Sequence, residues 1–324
     1  MDKTIITEAL SHYELSMQSH EFIRQGENTT MKITDDSNTD YLLRINSSHA
    51  GSKFGILQTD DSLAQKDIIN AEMLFLNEIG SKSNIALQAP VKNKEQKFCT
   101  VLDNGSIVTL LSWIHGTPLH QTEAPLNLHE KLGENFAELF KLSEKWENPA
   151  KFKRYSFDEK MILKLLEHIK SGIKSKAISE YEYSVIEKAT EKMLFLLNKL
   201  ESQENKKGIA HCDIARPNLV LAQNTIIPID FSLCGLSYIY MDIASFFVEF
   251  ENKPEEWNAI KKGYEKVMQM PIDLRFAEPF TVLRFIAFIG IFTYHQESIP
   301  NFHAQIEDEF EKRILRFIKG EPIH

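Results

Sequence analysis

Three polar residues at fixed spacing, Asp213, Asn218 and Asp230, carry the side chains that phosphoryl transfer requires. An aspartate can accept the proton of an attacking hydroxyl, and an asparagine and a second aspartate can hold the divalent cation beside nucleotide phosphates. Two short apolar runs, 219–221 and 226–229, are separated by a polar turn, which predicts a hairpin with its two ends side by side. The spacing therefore predicts a site in which Asp213 is the general base and Asn218 and Asp230 bind Mg²⁺.

Each of these residues also has a purely structural interpretation. Asp213 could cap a turn, and Asp230 could cap the end of a strand. We expect His211 to brace the loop through a backbone hydrogen bond, with a role as proton acceptor or metal ligand as the alternative. Asp242 is expected either to accept backbone N–H groups beneath the metal site or to cap the apolar helix that follows it. The common register of the three polar residues favours the catalytic interpretation.

The same residues form a pattern that resembles a known superfamily. Residues 211–218 read His-x-Asp-x-x-x-x-Asn and residues 229–231 read Ile-Asp-Phe, which resembles the aminoglycoside phosphotransferase and choline kinase superfamily. The segment 240–244 is similar to the Tyr-x-Asp-Ile-Ala segment of that superfamily, and a weaker resemblance extends from about residue 20 to about residue 250. The resemblance implies a protein-kinase-like fold, Mg²⁺, ATP or GTP as co-substrate, and a small-molecule hydroxyl as acceptor.

Two charged residues in the first third of the chain are candidates for the phosphate side of the nucleotide site. The resemblance implies that Arg44, on the third predicted strand, neutralises the α- and β-phosphates. Alternation along 41–45 predicts that its side chain points inward together with Leu42, and a surface arginine is the alternative. Glu72, on a predicted helix, would be the ionic partner of Arg44, and a solvated glutamate is the alternative.

Other residues are expected to surround the nucleotide base. The segment 110–114 should be the hinge between two lobes, where the backbone groups of Ser112 and Ile114 could pair with a purine edge. Val220 and Ile229 would form the apolar floor beneath the base. Ordinary core packing is the alternative interpretation for these residues.

The order of predicted elements favours an α+β chain with two lobes. Apolar periodicity predicts strands at 20–25, 29–34, 40–45, 98–102 and 106–112, and helices at 7–15, 68–79, 240–250, 254–268, 274–294 and 301–318, with further helical stripes between 126 and 197. This order predicts a small β-rich nucleotide-binding lobe at 1–112 and a larger helical lobe at 113–324 that contains the catalytic loop and the acceptor site. The turn at 25–30 has a single glycine, Gly26, so it either covers the phosphates or is a plain hairpin turn.

Composition limits the partners of the chain. A formal net charge of −9 and a pI near 5.7 disfavour nucleic acid and would suit a cationic acceptor, although acidic surfaces also serve solubility alone. Three cysteines without metal-ligand spacing are typical of a reducing compartment. The first residues lack a signal segment, and the longest apolar run, 285–292, is too short to span a bilayer. These features predict a cytoplasmic protein without a membrane partner.

The residues leave two other classes of function open. A protein kinase is one alternative, and the short segment between Asp230 and Asp242 argues against it because it offers no long activation loop. A non-catalytic nucleotide sensor is the other, and the presence of all three polar site residues argues against it. The acceptor stays open among aminoglycosides, choline-like amines, amino-alcohols, sugars and nucleosides, as does the oligomeric state.

Overall fold

The N-terminal part of the molecule is built around an antiparallel sheet. The computed structural model describes residues 3–26, 28–47, 53–60, 62–145, 152–201 and 207–323. Within these ranges the sheet has the order β1-β2-β3-β6-β4, with β5 beside β6. The strands are β1 (Met17–Gln25), β2 (Thr29–Asp35), β3 (Asp40–Asn46), β4 (Pro90–Val91), β5 (Cys99–Val101) and β6 (Ile107–Ser112), and the helices of this part are α1 (Lys3–Ser11) and α2 (Gln65–Lys82). The predicted meander is confirmed.

The two faces of this sheet contact different helices. Leu43 of the central strand β3 packs in a cluster with Ile6 and Tyr13 from the α1 side. Leu42, the preceding residue, packs instead against the cluster that contains buried residues of α2. Since alternate residues of a strand share a face, Arg44 points towards α2, as the alternation predicts.

The C-terminal part is mainly helical, which confirms the predicted α+β fold class. Its helices in the described ranges are α3 (Leu126–Glu144), α4 (Glu159–Lys174), α5 (Glu180–Glu201), α6 (Tyr240–Phe250), α7 (Pro254–Met268), α8 (Glu278–Phe292), α9 (Phe302–Glu309) and α10 (Leu315–Lys319). One large apolar core joins their inner faces. None of the helices in the described ranges has both the length and the apolar character that crossing a bilayer requires.

Helices α3 and α7 approach each other through two glycines. A Cβ atom at Gly133 would lie 2.0 Å from the carbonyl oxygen of Ile260, and one at Gly263 would lie 1.9 Å from the carbonyl oxygen of Glu130. No side chain fits at either point, so the two helix backbones are in direct contact.

Two small sheets hold the segments around the predicted catalytic loop. One has the order β11-β10-β7 and the other β8-β12-β9. Their strands are β7 (Thr117–Pro118), β8 (Tyr155–Ser156), β9 (Lys207–Ala210), β10 (Leu219–Ala222), β11 (Thr225–Pro228) and β12 (Gly235–Tyr238). Strands β10 and β11 pair antiparallel with Leu219 opposite Pro228, so the predicted hairpin is confirmed.

Some element boundaries differ from the predicted ones. The predicted helix 274–294 is divided into a 3₁₀ turn, Leu274–Phe276, and α8, because Pro279 suits the first turn of a new helix but not a helix interior. The predicted helix 301–318 is interrupted by a π-helical turn, Phe310–Ile314. The most polar stretch of the chain, 201–207, is expected from its composition to be a loop, and its residues 202–206 lie outside the described residues.

Candidate active site

The β10–β11 hairpin brings the predicted base and cation ligands together. The N–H of Ile229 donates to the carbonyl of Asn218 at 2.9 Å and closes the open end of the hairpin, with Asp230 next in the chain. Asn218 Nδ2 donates to Asp213 Oδ2 at 3.2 Å and to the Asp213 carbonyl at 3.1 Å. Because the amide nitrogen faces Asp213, the amide oxygen of Asn218 is left to accept from another group. The three residues therefore form one site.

Asp242 holds the loop that carries Asp213. Its two carboxylate oxygens accept the backbone N–H groups of His211 and Cys212, each at 3.0 Å. Asp242 lies within the first turn of α6, and the N-cap of that helix is Ile239. Asp242 therefore supports the loop by accepting two backbone N–H groups, as one of the two predictions stated. The alternative prediction, that Asp242 caps helix α6, is wrong.

The ring of His211 fixes the same loop from the other side. Nε2 lies 3.1 Å from the carbonyl oxygen of Ile229, and Nδ1 lies 3.3 Å from the N–H of Asp213. A carbonyl only accepts and an N–H only donates, so the ring is neutral with its proton on Nε2. His211 braces the loop by backbone hydrogen bonds, as expected, and both ring nitrogens are occupied.

Asp213 is a stronger base than an ordinary aspartate. Burial raises the pKa of Asp213 from 3.8 to about 6, and the negative charge of Asp230 acts in the same direction. The positive charge of Arg284 opposes both effects. A carboxylate whose pKa lies closer to neutral pH accepts a proton more readily from a hydroxyl group.

Asp230 has the opposite electrostatic environment. Its φ of 63° lies in the left-handed region, which non-glycine residues adopt at some cost and often at functional sites. Burial would raise the pKa of Asp230, but the guanidinium groups of Arg44 and Arg24 hold it at about 2. Arg24 Nη2, from β1, donates to Asp230 Oδ2 at 2.5 Å. Asp230 therefore stays ionised, as a cation ligand requires.

Arg44 and Glu72 form the buried ion pair that the sequence predicts. Arg44 Nη1 donates to Glu72 Oε1 at 2.6 Å and Nη2 to Oε2 at 3.4 Å, with both side chains buried. Burial would lower the pKa of Arg44, but the negative charges of Glu72 and Asp230 raise it, so the guanidinium stays charged. Arg44 Nε is buried and has no hydrogen-bond partner within the described residues. A phosphate oxygen would supply that partner.

A second buried arginine, Arg154, was not found by sequence reasoning. Arg154 Nη1 lies 3.6 Å from Glu72 Oε2 and donates to the carbonyl of Ile68 at 2.9 Å, which ties it to α2. Arg154 Nε donates to the carbonyl of Cys234 at 2.7 Å, and Nη2 donates to the carbonyl of Ser232. One side chain thus joins helix α2 to the segment that follows Asp230.

A pocket of about 280 Å³ lies between the sheet and the hairpin. Ile114, Val220 and Ile229 line it, as predicted for the surroundings of a nucleotide base. Its volume is near the lower end for ligand sites, roughly 300 Å³. Asn28 and Thr30, from the turn at 25–30, also line it, and further lining residues that sequence reasoning did not single out for this site are Ile23, Arg24, Gln88, Gly116, Pro118 and Pro217.

Two of the expected nucleotide-site residues do not line this pocket. Glu72 lies behind Arg44 and would act on a nucleotide only through that arginine. The N–H of Ser112 donates to the carbonyl of Ala89 at 2.8 Å, and its own carbonyl accepts from Gln88 Nε2 at 3.2 Å. Since the backbone groups of Ser112 are occupied in this way, Ile114 is the better candidate for pairing with a purine edge.

The turn after β1 covers one side of the pocket. The N–H of Gly26 donates to the carbonyl of Asn28 at 3.0 Å, and Thr30 Oγ1 donates to Asn28 Oδ1 at 2.8 Å. Asn28 and Thr30 both line the pocket. Residue 27 lies outside the described residues, so this turn, predicted either to cover the phosphates or to be a plain hairpin turn, is described only in part.

The choline/ethanolamine kinase family matches residues 83–281, which is more than half of the chain. The chain belongs to the choline/ethanolamine kinase family. The predicted superfamily resemblance is thereby confirmed. The comparison with curated proteins gave no match.

Solved structures of small-molecule kinases share the fold of this family member. An amicoumacin kinase in complex with AMP-PNP and Ca²⁺ has a TM-score of 0.75 at 17% identity, covering 99% of this chain and 94% of that one. A microcompartment-associated aminopropanol kinase has a TM-score of 0.75 at 22% identity, covering 100% and 99%. A choline kinase from Streptococcus pneumoniae has a TM-score of 0.61 at 16% identity, covering 98% of each chain. These likenesses establish the fold.

Proposed function

We propose that this protein transfers the γ-phosphoryl group of ATP to a hydroxyl of a small molecule. The observation that carries the proposal is the contact of Asp213 with Asn218, at the end of the hairpin from which Asp230 projects into the same pocket. A base and a pair of cation ligands at one edge of a nucleotide-sized pocket are the parts that this reaction needs. Residues 1–112 would form the nucleotide-binding lobe, and residues 113–324 would hold the catalytic loop and the acceptor.

Asp213 is the catalytic base in this proposal. The acceptor hydroxyl donates its proton to the Asp213 carboxylate while its oxygen forms a bond to the γ-phosphorus. The bond between that phosphorus and the bridging oxygen of the β-phosphate breaks, and ADP leaves. Desolvation of Asp213 supports this role because it raises the affinity of the carboxylate for the proton.

Asp230 and Asn218 have the donor chemistry that Mg²⁺ prefers. The Asp230 carboxylate stays ionised, and the amide oxygen of Asn218 has no hydrogen-bond partner within the described ranges. A bound Mg²⁺ would neutralise charge on the phosphate oxygens. Complexes of proteins of this fold with AMP-PNP and Ca²⁺, and with ADP, support a nucleotide as co-substrate and a divalent cation beside it.

Arg44 and Ile114 would bind the two ends of the nucleotide. Arg44 Nε, buried without a partner in the described structure, could donate to a phosphate oxygen. Ile114, Val220 and Ile229 all line the pocket, and in this proposal Ile114 would pair with the base above an apolar floor of Val220 and Ile229. The same contacts would accept GTP, and a complex of an aminoglycoside phosphotransferase of this fold with GDP makes GTP worth testing.

The proposal is tested by ADP release from Mg·ATP across a panel of amines, amino-alcohols, hydroxy-amino acids, sugars and aminoglycosides, with GTP in a parallel series. We expect at least one acceptor to stimulate release, and Asp213→Asn to lower that stimulated rate roughly 100- to 10,000-fold, the usual contribution of a general base. Asp308→Asn, at an exposed aspartate on α9, is the control and should retain the wild-type rate.

Two results would contradict the proposal in different ways. Binding of Mg·ATP, seen as a higher melting temperature, without stimulation by any acceptor would favour a nucleotide sensor. If no acceptor stimulates ADP release and neither nucleotide raises the melting temperature, the assignment of the pocket as a nucleotide site is overturned.

A further inference from the structure

A second pocket, of about 320 Å³, lies among helices α6, α8 and α9. Its walls include the apolar side chains Val248, Phe285 and Phe288. Its charged groups are Glu249 from α6, Arg284 from α8 and Glu309 from α9. The pocket therefore presents charges of both signs against an apolar wall.

This pocket is next to the catalytic loop. Glu249 Oε2 accepts the backbone N–H of Arg216 at 3.1 Å, three residues after Asp213 in the chain. Glu249 and Arg284 are both close enough to Asp213 for their charges to affect its pKa, in opposite directions. Asp213 is not itself among the lining residues, so the hydroxyl of a molecule bound here would have to extend from the pocket towards Asp213.

The charged groups of the pocket differ in what already binds them. Arg313 Nη1 donates to Glu309 Oε1 at 2.5 Å, and Arg313 also binds Glu251, so Glu309 already has a hydrogen-bonded ion-pair partner, which it shares with Glu251. Arg284 is half-buried and forms no hydrogen bond or ion pair within the described residues. A guanidinium has five N–H donors and no acceptor, and leaving it partly desolvated without a partner is unfavourable. An anionic ligand group would remove that cost.

Resting on the proposed function, we propose that the acceptor is a hydroxylated zwitterion of the amino-acid class. Its carboxylate binds Arg284, and its ammonium group binds Glu249. A planar guanidinium matches a carboxylate through two parallel hydrogen bonds. A purely cationic acceptor fits less well, because it would leave Arg284 without a partner and would bring a second positive charge beside it.

The size of the pocket also limits the acceptor. The rings of Phe285 and Phe288 and the side chain of Val248 close one wall with carbon atoms. A short aliphatic chain between the charged groups and the hydroxyl would lie against this wall and reach towards Asp213. Of the two carboxylates that line the pocket among the described residues, Glu309 is already paired with Arg313, so a large polycationic acceptor would be left with Glu249.

The test compares acceptors that differ by one charged group. L-homoserine is compared with 3-aminopropan-1-ol, which lacks the carboxylate, and with 4-hydroxybutanoate, which lacks the amine. L-serine is compared in the same way with ethanolamine and 3-hydroxypropanoate. We expect the zwitterion of at least one set to have a kcat/KM roughly 10- to 100-fold above both partners, because each lost charged hydrogen bond weakens binding by about that factor.

Variants of the two charged residues test the assignment of each group. Arg284→Gln should remove the preference for the zwitterion over the amine, and Arg284→Lys should restore part of it. Glu249→Gln should remove the preference over the hydroxy acid. Arg275→Gln, at an exposed arginine just before α8, is the matched control and should leave every preference unchanged. Melting temperatures of all variants check that they are folded.

Failure of this inference is distinguishable from failure of the proposed function. If an amine, a sugar or an aminoglycoside is phosphorylated in an Asp213-dependent reaction while neither zwitterion is preferred, the kinase assignment stands and the acceptor class is wrong. An unchanged preference in folded Arg284→Gln would equally overturn the role of Arg284. The kinase assignment itself falls only if no acceptor of any class stimulates ADP release.

Discussion

The nucleotide pocket and the second pocket beside Glu249 differ in how their charges are held. Behind the nucleotide pocket, Glu72 lies between Arg44 and Arg154, and all three side chains are buried and paired. In the second pocket, Arg284 has no hydrogen-bonding partner within the described structure. One region is fixed before any ligand binds, and the other retains an unpaired charge.

This difference has a thermodynamic consequence for each region. Buried ion pairs are costly to desolvate, so a paired network adds little net stability, yet breaking it leaves a charge uncompensated. An unpaired charge lowers the stability of the folded protein until a ligand pairs with it. A ligand that carries the complementary charge recovers this free energy and therefore binds more tightly than one that lacks it. We therefore expect variants behind the nucleotide pocket to affect folding most, and variants in the second pocket to affect choice of acceptor most.

The largest effect on stability is expected for Glu72→Gln. It leaves the buried guanidinium groups of Arg44 and Arg154 without their carboxylate, and removal of one partner from a buried pair costs about 3–5 kcal/mol of unfolding free energy. Urea unfolding measures the change. Glu78→Gln, on the same helix but paired with Lys82 near the surface, should cost less than about 1 kcal/mol. Equal losses in the two variants would mean that the buried network is not the fixed element described above.

Asp213→Asn is expected to stabilise the folded protein although it lowers the stimulated rate of ADP release. The pKa of Asp213 rises from 3.8 to about 6 through burial, so its charged form is disfavoured in the folded chain. Because the folded chain holds the proton of Asp213 more tightly than the unfolded chain, protonated Asp213 adds stability below pH 3.8. This contribution is lost as the pH rises through about 6. Above pH 7 the asparagine variant should gain about 1–2 kcal/mol, allowing for partial screening by water. The gain should disappear near pH 4, and a variant less stable than wild type at pH 8 would contradict this reasoning.

The rate should depend on pH through the same carboxyl group. As a base, Asp213 must be deprotonated, so kcat/KM should fall tenfold for each pH unit below the pKa, which is about 6 without a bound cation. A divalent cation at Asp230 would bring the raised pKa of Asp213 down again, so the acidic limb of the profile should lie at or below pH 6. A pH–rate profile under conditions where the protein remains folded measures it. An acidic limb centred above pH 7 would point to a different base.

The smallest effect on stability is expected for Arg24→Gln. The Arg24 side chain is 59% exposed, and exposed ion pairs contribute at most about 1 kcal/mol. Its guanidinium competes for the Asp230 carboxylate that the cation would bind, so the variant should need less Mg²⁺ for half-maximal activity. A Mg²⁺ titration at fixed ATP tests this. A higher Mg²⁺ requirement would instead mean that Arg24 assists binding of the nucleotide–cation complex.

Sequence reasoning found the site residues whose position follows from periodicity. Alternation along β3 predicts the direction of Arg44, and the hairpin pattern predicts that Asn218 and Asp230 meet. Both inferences need only local rules, because successive side chains of a strand point to opposite faces and the two strands of a hairpin lie side by side. Ser112 illustrates the limit of such rules, since its backbone groups pair with a neighbouring segment that the sequence pattern does not identify.

The residues that sequence reasoning missed act across long distances in the chain. Arg154 follows a segment without clear periodicity, and most of its partners are backbone carbonyls, which any residue type could supply. Arg24 contacts Asp230, 206 positions away. Arg284 lies within an apolar helix where a single charge carries no spacing signal. Such contacts depend on how the elements pack, and no local pattern encodes that.

The contact between α3 and α7 limits which amino-acid substitutions the protein tolerates. Phe136, less than one turn after Gly133 on α3, has its ring 6.0 Å from the ring of His211. Any side chain added at Gly133 or Gly263 must push the two helices apart, and that displacement would reach the histidine that braces the catalytic loop. In a comprehensive scan of single substitutions, these two glycines should rank among the least permissive positions, although neither lines the nucleotide pocket or the second pocket.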